Sequence, residues 1–167
     1  MVTIMFERIL PPMAKNEYRG SPLAFYGLCL FTAVFAFRSL VHFLKDDGGI
    51  NSIASIITFP GTPDPDQVIH LFASLWGGQQ LITLVILVTV LFRYRNLIPF
   101  MALLLVIEQL TRVASGLMHP LNPTFYEHRP PGAAGTFIFI GFSLLILVLS
   151  LRQRPDSGAK TSGGRRD

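Results

Sequence analysis

Cysteine, tryptophan and charged side chains are scarce in this chain of 167 residues. Its single cysteine, Cys29, excludes an intramolecular disulfide and a metal site built from several cysteines. Charged residues make up only 14% of the chain, whereas a typical soluble domain has about 25%. The sequence also has no phosphate-binding loop, nucleophile elbow or zinc-protease motif. No motif therefore assigns the chain to one of these enzyme classes.

Long hydrophobic segments make up much of the chain. A helix needs about 20 mainly apolar residues to cross the hydrocarbon of a bilayer. Four stretches meet this length, and they are residues 22–44, 68–92, 97–117 and 132–151. The short turn at residues 93–96 makes the second and third stretches antiparallel neighbours. We predict an all-α integral membrane protein, with an antiparallel four-helix bundle over residues 22–151 as its one transmembrane domain.

The basic residues lie mainly on one side of these four spans. Ten of the 14 lysines and arginines fall in the N-terminal segment 1–21, the turn 93–96 or the tail 152–167. The positive-inside rule then places both termini in the cytoplasm. Because topology accounts for the basicity, the bilayer is the implied partner and nucleic acid is not. The basic, Gly/Ser-rich tail is predicted to be disordered.

The two connections on the opposite, outer side have patterns of their own. In the first connection, residues 45–67, apolar residues recur at near-helical spacing. These residues are Ile50, Ile53, Ile56, Ile57 and Phe59. The spacing predicts a short amphipathic helix at the outer interface, with an extended strand as the alternative. Asp66 is the predicted N-cap of the second span, and the proline-rich second connection, residues 119–131, is predicted to be rigid and non-helical.

Eight polar residues in or beside the spans form a predicted ligand pocket. An ionisable side chain at the bilayer centre costs about 2.5–3.5 kcal/mol on insertion scales, so such residues usually face the protein interior. Glu108 and Arg112 are four positions apart and share one face of the third span. The predicted pocket opens toward the outer side. Its residues are Arg38, His42, His70, Gln80, Glu108, Arg112, Ser115 and His119.

These residues also have a purely structural interpretation. Glu108 and Arg112 can form an ion pair that holds helices together, and Arg38 can extend its guanidinium to the interface. The four histidines can lie at the interface without a metal, because no His-x-x-His or Glu-x-x-His spacing is present. Trp76 can pack against a neighbouring helix or line the pocket. Close helix contacts are predicted at Gly77, Gly78, Gly132, Gly135 and Gly141.

Three short motifs resemble the DoxX-like superfamily of small bacterial membrane proteins. They are Asp64-Pro65 in the first outer connection, His70-Leu-Phe-Ala-Ser-Leu-Trp-Gly-Gly in the second span, and Arg112-Val-Ala-Ser-Gly in the third. The resemblance covers residues 23–151, although His70 stands where that family more often has arginine. It implies an antiparallel four-helix bundle in the bacterial inner membrane. The resemblance implies no settled activity.

Three functions are compatible with the sequence. The first is a membrane protein whose outer-facing pocket binds a small amphiphilic ligand such as a quinone or a lipid. The second is a non-catalytic accessory subunit of a larger membrane complex; as a partner, the sequence also leaves open a second copy of the chain in a homo-oligomer. The third is a redox protein with a metal or haem at His42, His70, His119 and His128. No cofactor is assigned from the sequence, and whether the protein is an enzyme stays open at this point.

Overall fold

Helices make up the regular structure of this protein. The computed structural model describes residues 2–128 and 130–152, so the predicted tail beyond Arg152 lies outside them. Within the described residues there is no β-strand. The helices are α1 (Val2–Ile9), α2 (Pro22–Leu44), α3 (Asp66–Arg93), α4 (Ile98–Met118) and α5 (Pro131–Leu151). Single turns of 3-10 helix, Arg95–Leu97 and Pro123–Phe125, lie in the connections before α4 and α5.

Three of these helices are long and apolar enough to cross a membrane. They span Pro22–Leu44, Asp66–Arg93 and Arg95–Met118, the last of which includes the 3-10 turn before α4. The apolar segment of α5, Gly135–Leu151, is shorter. The prediction of an all-helical protein is confirmed, and the three long apolar helices are compatible with a membrane protein. The helix bounds also agree with the four predicted stretches to within a few residues.

The helix ends follow from local sequence. The Ser21 hydroxyl accepts a hydrogen bond from the Leu23 backbone N–H at 3.3 Å, which caps the start of α2. Pro22 and Pro131 occupy the first helical positions of α2 and α5, where the missing N–H has no intrahelical partner in any case. In contrast, Asp66 is the first residue of α3 and not its cap. Its carboxylate instead accepts from the Phe59 backbone N–H at 3.2 and 3.3 Å.

The four long helices share one apolar core. Leu28 from α2, Leu87 from α3, Leu105 from α4 and Ile146 from α5 are fully buried in it. Helix α2 packs along α3 and α5, and α5 also packs along α4. The two helices α3 and α4, predicted as close neighbours because of their short connection, contact each other at few positions. They therefore leave a space between them.

The two ends of the molecule are distinct. At one end, the Ser21 N–H donates to the Leu149 carbonyl and the Asn96 N–H to the Lys15 carbonyl, each at 3.2 Å. This end therefore brings together the start of α2, the α3–α4 turn and the end of α5. Because α1 lies beside them, we call it the α1 end. Connection 45–65 and the described residues 119–128 of the second connection lie at the opposite end, called the loop end. Consecutive long helices thus run in opposite directions.

The first connection at the loop end is not the amphipathic helix that the isoleucine spacing predicted. Residues 46–54 form successive turns, with positive φ angles of 57° at Gly48 and 76° at Gly49. The Asp47 carboxylate accepts from the Gly49 and Ser52 backbone N–H groups at 2.9 and 2.8 Å. These bonds occupy donors that a helix would need. Ile56 then pairs with Tyr126 in an antiparallel bridge, which ties the two connections together.

Asp47 provides a test of this turn that depends on pH. Burial raises the pKa of Asp47, but hydrogen bonds from Ser52 and Gly49, together with Lys45, outweigh burial and lower the pKa from 3.8 to about 2. A depressed pKa stabilises the folded turn above pH 3.8, and this contribution is lost as the pH falls toward 2. Asp47→Asn should imitate the acid form at neutral pH. Amide hydrogen exchange at Gly49 and Ser52 should then accelerate about tenfold.

Asp46→Asn is the matched control for this prediction. Asp46 is exposed and adjacent, and its carboxylate makes no hydrogen bond to the described residues. Its exchange rates should equal those of the unaltered protein. Equal protection of Gly49 and Ser52 in the Asp47 variant would show that the carboxylate does not hold the turn.

Candidate functional site

Charged and amide side chains from three helices meet between α2, α3 and α4. Arg38 of α2 donates from Nε and Nη2 to Oε1 of Gln80 on α3, at 3.3 and 3.2 Å. The Nη2 atom of Arg38 also lies 3.3 Å from Oε1 of Glu108 on α4. The Nη2 atom of Arg112, one turn further along α4, lies 3.3 Å from the same carboxylate oxygen. We call Arg38, Gln80, Glu108 and Arg112 the polar cluster.

An aromatic side chain links the two guanidinium groups of the polar cluster. The Trp76 ring centroid lies 4.7 Å from Cζ of Arg112 and 5.6 Å from Cζ of Arg38. Both distances are within the range of cation–π attraction. The His42 ring lies 4.5 Å from the Trp76 ring, and its Nδ1 atom is 2.6 Å from the Gly48 carbonyl oxygen. His42 and Trp76 therefore connect the polar cluster to the turns of the loop end.

Close approach of α2 and α3 brings these groups within reach of each other. A Cβ atom at Gly77 would lie 2.6 Å from the backbone nitrogen of Phe43 and 2.7 Å from the carbonyl carbon of His42. Only glycine allows this separation of the two backbones. Three residues along α3, Gln80 is buried, and its Oε1 atom accepts from Arg38 and lies 3.3 Å from Oγ of Ser39, whose hydroxyl donates to the Phe35 carbonyl at 2.7 Å. Gln80 is thereby fixed against α2.

The polar cluster has more donors and more positive charge than its own members satisfy. Two guanidinium groups face one carboxylate. The Nε2 atom of Gln80 and the Nε atom of Arg112 are buried and have no hydrogen-bond partner among the described residues. Buried donors are normally paired, and leaving one unpaired costs about 1–3 kcal/mol. The cluster is therefore suited to an additional group that carries acceptor oxygens.

A cavity of about 360 Å³ adjoins the polar cluster. It lies between α3 and α4, where these helices contact each other least, and we call it the α3–α4 cleft. Gln79, Gln80, Thr83 and Glu108 are its polar lining residues. Its apolar lining includes Phe35, Trp76, Ile86, Met101, Leu104 and Leu105. The cleft is thus polar where it meets the cluster and apolar along the rest of its length.

The structure brings together only part of the predicted pocket. Arg38, Gln80, Glu108 and Arg112 are in direct contact, and His42 joins them through Trp76. The other three predicted residues, His70, Ser115 and His119, form no hydrogen bond with the polar cluster. The Nε2 atom of His70 is 2.8 Å from Oδ1 of Asn51 in the first connection, and Ser115 and His119 are exposed near the end of α4.

The direction of the opening also differs from the prediction. The sequence predicted a pocket open toward the outer connections. The α3–α4 cleft instead extends from the cluster toward the α3–α4 turn, since it is lined from Trp76 to Ile86 on α3 and from Met101 to Glu108 on α4. The cleft lies between α3 and α4 because α3 packs mainly against α2 and α4 mainly against α5, with few contacts between α3 and α4.

Sequence reasoning missed Phe35 and Ser39 as neighbours of the cluster. The Phe35 ring centroid lies 5.4 Å from Cζ of Arg38, and Oγ of Ser39 lies 3.3 Å from Oε1 of Gln80. Both residues lie within one turn of Arg38 in α2, so helical spacing was a usable signal. The predicted close contacts are found at Gly77, but Gly132 and Gly141 of α5 have no atom within 4 Å of an added Cβ. That prediction is wrong for these two positions.

The histidines do not assemble a metal site in the described part of the chain. No group of three or more His, Cys, Asp or Glu side chains that could hold an ion occurs there. His42 and His70 each have a ring nitrogen within hydrogen-bonding distance of a protein oxygen. Comparison with models of protein families, with curated proteins and with solved structures finds no match for this chain.

Proposed function

We propose that this protein binds a small amphiphilic ligand, such as a quinone or a lipid-like molecule, within a membrane. The head of the ligand lies at the polar cluster, and its apolar part lies in the α3–α4 cleft. The observation that carries the proposal is the unpaired donor Gln80 Nε2 on a residue that lines a mainly apolar cavity, in a cluster where Arg112 Nε is unpaired as well. A quinone carbonyl, a carboxylate or a phosphate supplies the oxygen atoms that these donors need.

The charge of the cluster restricts the head of this ligand. Two arginines and one glutamate leave a formal excess of one positive charge when all three are ionised. A cationic head would add to this excess, whereas a neutral head with acceptor oxygens or a singly anionic head reduces it. The ligand is therefore neutral or anionic at the end that lies beside the polar cluster.

The proposal includes a membrane topology. All four long helices cross the bacterial inner membrane as an antiparallel bundle, and both termini lie in the cytoplasm. The apolar helices and the basic residues of the α1 end support this arrangement. The resemblance to DoxX-like proteins stays a prediction of the sequence motifs. It agrees with the proposed architecture and assigns no ligand.

Gln80→Glu tests the ligand site without removing an existing bond. The variant keeps an acceptor oxygen for Arg38 and Ser39, replaces the unpaired amide N–H₂ by a second oxygen, and adds a negative charge. Binding of decylubiquinone or dodecanoate should weaken at least about tenfold, the effect of about 1.4 kcal/mol. Trp76 is the only tryptophan in the chain, so its fluorescence in detergent micelles reports binding.

Gln67→Glu is the matched control for this experiment. Gln67 is an exposed glutamine at the start of the same helix and does not line the cleft. Its titration curves should coincide with those of the unaltered protein. The same saturable change of Trp76 fluorescence in the Gln80 variant, at the same ligand concentrations, would remove the proposal.

An accessory subunit of a larger complex is the alternative function. At Gly132 and at Gly141 of α5 an added Cβ would meet no neighbouring helix, and such open glycine positions are where an accessory subunit could contact a partner helix closely. Purification of the full chain in mild detergent from its native membrane distinguishes the two functions. A defined complex with other chains supports the accessory role, and a lone monomer or homo-oligomer counts against it.

A further inference from the structure

A second cavity, of about 340 Å³, lies at the α1 end and is unrelated to the polar cluster. We call it the α1-end cavity. It lies beside α1, the segment before α2, the α3–α4 turn and the end of α5. Unlike the α3–α4 cleft, it is lined by charges of both signs. Its charged residues are Arg8, Lys15 and Arg19 with Glu7 and Glu17.

Hydrogen bonds hold the walls of the α1-end cavity in place. An Nη1 atom of Arg8 donates to the Leu151 carbonyl at 3.0 Å, which fixes α1 to the end of α5. The Lys15 backbone N–H donates to Oδ1 of Asn96 at 2.8 Å, and Nδ2 of Asn96 donates to the Met13 carbonyl at 2.7 Å. Asn96 thereby binds the segment before α2 to the α3–α4 turn. These hydrogen bonds between separate segments therefore define the shape of the cavity.

The charged groups in this cavity form few ion pairs with one another. Glu17 and Arg19 lie 3.9 Å apart, and their side chains are 64% and 79% exposed, so they form only a weak surface pair. The Lys15 ammonium and the Glu7 carboxylate make no ion pair or hydrogen bond with the described residues. Cationic and anionic groups are thus both available to a ligand.

Exposed apolar side chains lie on the same segments that line the charged cavity. Phe6, Leu10 and Met13 are exposed by 61%, 41% and 61%, and they belong to α1 and the segment that follows it. A cationic and anionic cavity beside exposed apolar side chains is typical of a surface at the boundary between headgroups and acyl chains. This position agrees with the proposed topology, in which the α1 end faces the cytoplasm.

From these observations we infer that the α1-end cavity binds the headgroup of a zwitterionic phospholipid with a primary ammonium, such as phosphatidylethanolamine. Arg8, Lys15 and Arg19 face the phosphate, and Glu7 and Glu17 face the ammonium. A purely anionic headgroup would contact the three cations but would also be repelled by both carboxylates. A choline headgroup has no N–H to donate to them. The inference does not depend on the ligand proposed for the α3–α4 cleft.

Native mass spectrometry of the full chain tests the lipid site. The protein is released from micelles that contain equimolar phosphatidylethanolamine, phosphatidylglycerol and phosphatidylcholine of the same acyl chains. Phosphatidylethanolamine should be retained in preference to both other lipids. Lys15→Met should weaken retention of phosphatidylethanolamine and phosphatidylglycerol alike, and Glu7→Gln should weaken phosphatidylethanolamine alone. Each loss should be about threefold, as expected for one partly exposed ion pair.

Two exposed residues outside the cavity serve as matched controls. Arg93→Met removes a charge at the α1 end, and Glu127→Gln removes one at the loop end. Both variants should retain lipid as the unaltered protein does. Equal or stronger retention of phosphatidylglycerol, or the same loss in Arg93→Met as in Lys15→Met, would overturn the inference. Displacement of the lipid by millimolar inorganic phosphate would overturn it as well and would assign the cavity to free phosphate.

Discussion

Replacing Glu108 by glutamine is expected to destabilise the protein by about 2 kcal/mol. Glu108 is the only carboxylate within 4 Å of Arg38 and Arg112 among the described residues, so the variant leaves two guanidinium groups without a counter-charge. Breaking a fully buried ion pair costs about 3–5 kcal/mol. The expected loss is smaller because the Glu108 side chain remains 28% exposed. Unfolding by dodecyl sulfate, followed by Trp76 fluorescence, measures the change.

Adding Arg112→Gln to Glu108→Gln shows whether the loss of stability comes from the unbalanced charge or from the altered packing. In Glu108→Gln with Arg112→Gln, one arginine faces no carboxylate, and the net charge of the cluster returns to that of the unaltered protein. The double variant should be more stable than Glu108→Gln alone, although it carries one more substitution. If the two single losses add in the double variant, the cluster is not organised around charge balance. Glu127→Gln controls for the chemistry of the substitution at an exposed site.

The other large effect is expected for Gly77→Ala. The added methyl group would lie within 2.6–2.9 Å of backbone and side-chain atoms of His42 and Phe43, and backbone atoms of a packed helix cannot move aside locally. Helices α2 and α3 would have to separate, at a loss of about 3 kcal/mol, the upper part of the range for overpacking. The same separation would pull Gln80 away from Arg38. Stability in dodecyl sulfate and ligand binding should therefore fall together.

Gly78→Ala is a control for Gly77→Ala at the neighbouring position. Its added methyl group would lie 3.5 Å from the Phe43 ring, which is an ordinary van der Waals distance. Alanine favours the helix by up to about 1 kcal/mol relative to glycine, so this variant should be unchanged or slightly more stable. Equal losses in the two variants would show that the contact with α2 is not the cause.

The helices were predictable because local physics determines them. Apolar length sets the extent of a span, and it predicted that the first span begins at residue 22, where α2 does begin. The pairing of Glu108 with Arg112 was also predictable, since positions four apart lie on one helix face. None of these predictions requires knowledge of which helices are neighbours in space.

The remaining features depend on contacts between distant segments. The isoleucine spacing in the first connection predicted a helix, but the Asp47 carboxylate and the bridge from Ile56 to Tyr126 stabilise turns instead. Chain connectivity predicted that α3 and α4 pack closely, whereas α2 and α5 provide their main contacts. The α3–α4 cleft follows from this arrangement. Its position could not be derived from the periodicity of any single helix.

The bridge between the two connections has a consequence for how a ligand reaches the polar cluster. Residues 55–57 and 125–127 are joined by backbone hydrogen bonds at the loop end, whereas the cleft lies between α3 and α4. If the helices cross the membrane as proposed, a ligand of the cleft would enter between α3 and α4 from the plane of the bilayer. Occupancy is then governed by the amount of ligand dissolved in the lipid, so a strongly partitioning molecule fills the site even when its aqueous concentration is negligible.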